Sequence, residues 1–86
     1  MTTTGFGYSH VGPAGAMFAV TPSDATDLPV VAKALWVGGA GNISIIAEND
    51  TAPVTLNSAA AGTMITLRVK RVRATGTTAT NIVAFI

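Results

Sequence analysis

Apolar positions come in short bursts along the chain, and each burst is broken by Gly, Pro, Asn or Asp. The first spans 16–20 and is stopped by Thr21-Pro22-Ser23-Asp24. Pro22 fixes its own φ and offers no amide donor, while Ser23 and Asp24 can bond nearby backbone. After Leu28-Pro29, residues 30–37 run almost unbroken, with Lys33 as the single charge, and predict a strand buried on most sides. Gly38-Gly39-Ala40-Gly41-Asn42 predicts a tight reversal, because glycine tolerates positive φ. Residues 43–47 predict the next strand, and Glu48-Asn49-Asp50 a polar turn. Pro53 limits pairing at the start of the alternating Val54-Thr55-Leu56, which Asn57 ends. An alanine-rich loop is expected over 58–62.

The clearest strand pattern spans 64–73, with Ile65, Leu67 and Val69 on one face and Thr66, Arg68 and Lys70 on the other. The alternation then slips, because Val72 follows Val69 by three residues. A bulge at Lys70-Arg71 would return Val72 to the inner face. A Thr/Gly turn over 74–80 leads to a last strand over 82–86, which is expected to be docked. Six to seven short strands with no helical crossover predict an all-β fold, a small antiparallel sandwich or barrel. Residues 1–15, rich in Gly, Thr, Ser and Pro and without a period, predict an extended N-terminal arm. Residues 16–86 predict a single β domain.

Composition sharpens this picture. The 86 residues include 10% charged side chains against about 25% in ordinary domains. Hydrophobic residues make up 49%, and cysteine is absent. No disulfide can staple so small a core, and small unstapled domains commonly gain stability by oligomerising. The charge deficit therefore predicts surface covered by partner subunits. The competing reading is a monomer solvated by its thirteen threonines. The apolar runs are far shorter than the ~18–20 residues of a membrane helix, and no basic, apolar leader opens the chain. Synthesis in a cytoplasm and no membrane partner are expected.

Candidate chemistry is sparse, and no enzymatic activity is expected. His10 is the one histidine and sits in the arm. Ser9, Ser23, Ser44 and Ser58 have no base with an orienting carboxylate beside them in sequence. Asp24 with Asp27, and Glu48 with Asp50, lack calcium-loop spacing, so neither a metal nor a cofactor is expected. Gly5-Phe6-Gly7-Tyr8 resembles an aromatic nucleic-acid motif but lacks the preceding basic residue.

Four of the five cations, Arg68, Lys70, Arg71 and Arg73, fall within six residues. Three readings of them stay open: a solvated strand face, contact with the acidic turns of a neighbouring copy, and contact with phosphates. With a net charge of +1 and no aromatics among these cations, nucleic acid is the least favoured partner. Trp36 reads either as a core anchor or as a packing hot spot between subunits. Asp24, Asp27, Arg68, Lys70, Arg71, Arg73, Trp36 and Phe85 are the candidate interface residues.

Val20-Thr21-Pro22-Ser23-Asp24-Ala25-Thr26-Asp27-Leu28-Pro29 and Ala34-Leu35-Trp36-Val37-Gly38-Gly39-Ala40-Gly41 carry a resemblance, as does the closing run Arg71-Val72-Arg73-Ala74-Thr75-Gly76-Thr77-Thr78-Ala79-Thr80-Asn81-Ile82-Val83-Ala84. Together they resemble the spike base proteins of gene transfer agents of alphaproteobacteria and related tailed phages, over roughly 16–86. The resemblance implies a non-enzymatic virion protein that forms an oligomeric base for a spike or fibre, at the head vertices in gene transfer agents. Five copies are expected at a vertex, whereas a tail site would favour three or six. Implied partners are further copies, the capsid or other virion proteins, and the spike or fibre protein. The implied location is the virion, after synthesis in the bacterial host cytoplasm. A capsid decoration protein without a fibre, a small nucleic-acid-binding barrel and a carbohydrate-binding module are the alternatives.

Overall fold

The computed structural model describes residues 13–86. The arm expected over 1–15 therefore lies mostly outside the described residues, as do Phe6, Tyr8, Ser9 and His10. Seven strands follow in order: β1 (Met17–Ala19), β2 (Ala34–Gly39), β3 (Gly41–Ala47), β4 (Val54–Ala59), β5 (Thr63–Ile65), β6 (Val69–Val72) and β7 (Thr80–Phe85). They form two antiparallel sheets. One has the order β1-β7-β2-β5 and the other β4-β3-β6. This is the all-β antiparallel fold that the pattern predicts, and of the two expected forms, sandwich and barrel, it is the two-sheet sandwich.

Inward-facing residues of both sheets build one core. Leu35, Val37, Ile82 and Ala84 come from the four-stranded sheet, and Ile43, Ile45, Val69 and Val72 from the three-stranded one. Phe18, Val20, Leu28, Ala59 and Ile65 pack around them. Alternation along each strand sends every second side chain inward. The terminal strand is docked as expected, with β7 lying between β1 and β2 and Ile86 bonded through its backbone to Ala16.

Three details depart from the sequence reading. The expected single strand over 64–73 is two strands in different sheets: β5 pairs with β2, and β6 pairs with β3. Residues 66–68 cross between the sheets, which leaves Leu67 41% exposed. Second, β4 continues past Asn57 to Ala59 through a register shift in which Ser58 takes φ 58°. The amide of Ser58 donates to Oδ1 of Asn42 at 2.8 Å. Third, the glycine run is a corner, because β2 and β3 belong to different sheets. There Gly39 lies so close to β7 that an added Cβ would run into Oγ1 of Thr80. The bulge does occur where expected. Ala47 pairs with Val69 and Ile46 with Arg71, so Lys70 is the extra residue, and both Val69 and Val72 face the core.

Candidate assembly interface

The four-stranded sheet contains no charged residue on any strand. Register fixes what its outer face presents. Ala19, Val83, Trp36 and Met64 form one row across β1, β7, β2 and β5. Met17, Phe85 and Ala34 form the row beside it. Cross-strand partners point to the same side of a sheet, so these seven apolar side chains make one continuous outer surface. Met17 is 67% exposed, Met64 46% and Trp36 38%. Trp36 is therefore outside the core, and it shares this face with Phe85, another of the eight expected contact residues. Met17 and Met64 were not singled out by the sequence. The signal that could have found them is the absence of charge from all four segments.

The three-stranded sheet has one open side. Its β6 edge is covered by a strap, segment 21–28, whose Ser23 amide donates to the Val72 carbonyl and whose Leu28 amide donates to the Lys70 carbonyl. Turn bonds from the Ala25 and Thr26 amides to Oγ of Ser23 shape the strap. Its opposite edge, β4, is six residues long and uncharged, with Val54 58% and Leu56 37% exposed. Long uncharged sheet edges invite pairing with another chain.

The basic residues are largely matched within the chain. Arg71 Nε donates to Asp27 Oδ1 at 2.7 Å, and its Nη1 donates to the Asp24 carbonyl at 3.0 Å. Arg73 lies 3.5 Å from Asp24, and Arg68 lies 3.3 Å from Glu48. Asp24 also accepts the amide and hydroxyl of Thr75. These two bonds hold its carboxyl below the ordinary value of 3.8 against the opposing effect of desolvation, with Arg73 adding a lesser pull in the same direction. Acids and cations that the sequence offered as contacts between copies thus meet first inside one copy, where they pin the strap to β6 and to the loop after it.

That loop, 74–79, explains the unusual Thr/Gly run. The N-terminal half of β3 extends beyond the end of β6 and needs other acceptors for its amides. Oγ1 of Thr78 accepts the Asn42 amide at 2.8 Å, and Oγ1 of Thr77 accepts the amide of buried Ser44 at 2.9 Å. Gly76 sits close over Ser44, with φ 88°.

One open groove of about 690 Å³ is lined by Lys33, Glu48, Asp50, Thr66, Leu67 and Arg68, among others. No set of three His, Cys, Asp or Glu side chains is placed to hold a metal ion, among the described residues.

A small β-sandwich with an uncharged sheet face and an open uncharged edge has the surfaces of a structural protein made to be built into something larger. Comparison with known proteins identifies its kind. The chain is 34% identical, over 100% of both chains and with a TM-score of 0.79, to a chain in a solved structure of the capsid of a native gene transfer agent (GTA) particle computed with C5 symmetry. It belongs to the family of that particle protein, a family of virion structural components. No family model matches the chain, and no curated protein matches it.

Proposed function

We propose that this protein is a non-enzymatic base subunit that, in several copies, anchors a spike or fibre to the head of a gene transfer agent or phage particle. The observation that carries this reading is the charge-free outer face of the β1-β7-β2-β5 sheet, with Trp36, Met17 and Met64 exposed on it. Contiguous exposed apolar surface on a small protein marks a site of association. Trp in such a patch is the residue type that most often dominates binding energy. The similar particle chain, solved with C5 symmetry, supports five copies around a capsid vertex.

In this reading the sheet face seats the subunit against another virion protein, and the edges of the sandwich face further copies. Phosphate binding is disfavoured, because Arg68, Arg71 and Arg73 are already paired with carboxylates of the same chain.

The test is to produce particles from cells in which Trp36→Glu replaces the native chain. Trp36 lies outside the core, so the isolated variant should keep its β circular dichroism spectrum. It should be missing from purified particles, together with the spike. Variant subunits present on particles at the native copy number would refute the assignment of this face.

A further inference from the structure

Two of the chain's three methionines, Met17 and Met64, lie among the described residues. Both are on the outer face of the β1-β7-β2-β5 sheet, and neither belongs to the core. They occupy its two edge strands, so they flank the face from opposite sides. Each stands across a strand from an aromatic ring. Met17 pairs with Phe85, and Met64 pairs with Trp36. The Trp36 ring reaches toward β5, because a Cβ added to Gly62, just before that strand, would lie 3.7 Å from its Cη2. Beside Met17, an open hollow of about 310 Å³ is lined by Phe85 and residues 14–16.

A thioether is soft and apolar, packs well against aromatic rings and adapts to an irregular partner. It is also open to oxidation when water reaches it. The sulfur lone pair attacks one peroxide oxygen, the O–O bond breaks, and the second oxygen leaves as water. The sulfur is oxidised to a sulfoxide while the peroxide is reduced. The product is polar and chiral, and it disrupts surfaces that rely on methionine for apolar contact. On this face the new acceptor finds no charged neighbour on any strand of the sheet. Seating it against an apolar partner would bury it unsatisfied.

We propose that Met17 and Met64 are oxidation sites that gate docking. Peroxide converts them to sulfoxides on the free subunit and so blocks the seating of this face, whereas the seated subunit shields them. The inference rests on the proposed role of the face in attaching the base, and adds a chemical control of that attachment.

The test treats the purified chain with hydrogen peroxide and locates the added oxygens by peptide mass spectrometry. Treated and untreated chains are then added to particles produced without this chain, and bound copies are counted. Met17 and Met64 should each gain one oxygen, the β circular dichroism spectrum should persist, and the bound copy number should fall several-fold. A chain carrying both Met17→Leu and Met64→Leu should bind as the native chain does, before and after peroxide. On assembled particles the two sulfurs should oxidise several-fold more slowly than in the free chain. Oxidised native chain that binds at the untreated level would overturn the gate. A double leucine variant disabled equally by peroxide would overturn the assignment to these two residues. Equal oxidation rates in the free and the assembled chain would overturn the shielding. Failure of the untreated native chain to bind would instead overturn the reading of the face on which the inference rests.

Discussion

Asp24 ties several parts of the structure together. One carboxylate holds the amide and hydroxyl of Thr75 and lies near Arg73, while its own carbonyl takes a bond from Arg71. It fastens the strap to the loop that follows β6. Because these bonds favour the ionised form, its folded pKa lies below the ordinary 3.8. A depressed carboxylate contributes stability above its unfolded pKa and loses it as pH falls through the folded one. The contribution is therefore complete at neutral pH and fades below about pH 4. Thermal unfolding followed from pH 7 to pH 2.5 should show a steeper acid loss for the native chain than for Asp24→Asn. Parallel curves would mean that the carboxylate contributes nothing. Little of this could be read from the sequence, since Asp24 and Thr75 are separated by fifty-one positions. Local composition marked Asp24 as a turn former and could not show what the turn would meet. Trp36 was ambiguous for a different reason. On a strand whose neighbours are apolar on both faces, period-two reading cannot tell the core side from the outer side.

Among the elements, β6 was the most legible in detail. The three-residue gap between Val69 and Val72 can place both in one core only if an extra residue is inserted, and Lys70 is that residue. Deleting Lys70 would return the strand to strict alternation and turn either Val69 or Val72 outward. We expect the deletion to lower the unfolding temperature by at least about 10 °C, as the loss of a buried valine from an 86-residue domain implies. Lys70→Ala keeps the bulge and should change stability by less than about 0.5 kcal/mol. Similar melting temperatures for the two variants would contradict this account of the bulge. The break between β5 and β6 was not legible. Alternation reports which side of a strand is apolar and carries no information about which sheet it joins. The chain changes sheet at Ala40, at residues 60–62, at residues 66–68 and at residues 73–79, with no helix to mark it.

For the whole molecule, the shortage of charge proved the most useful sequence feature, and the structure gives it a location. Of the seven strands, β6 alone carries charged residues, and nearly all the others lie in the strap and turns. The surfaces left over are a sheet face and a sheet edge with few groups that water solvates strongly. A single chain of 8.6 kDa would keep both of them wet. The fold class was readable from strand spacing and breakers, and the virion role from residue runs shared with a known family. The assembly surfaces required the register, because Met17, Trp36, Met64 and Phe85 come from four separate strands. The central claim is that these surfaces bury against other copies and other particle proteins. Native mass spectrometry of the purified chain at high micromolar concentration tests it most directly. The account predicts a closed multiple of the 8.6 kDa chain, five being the expected number; a folded species at 8.6 kDa alone would contradict it.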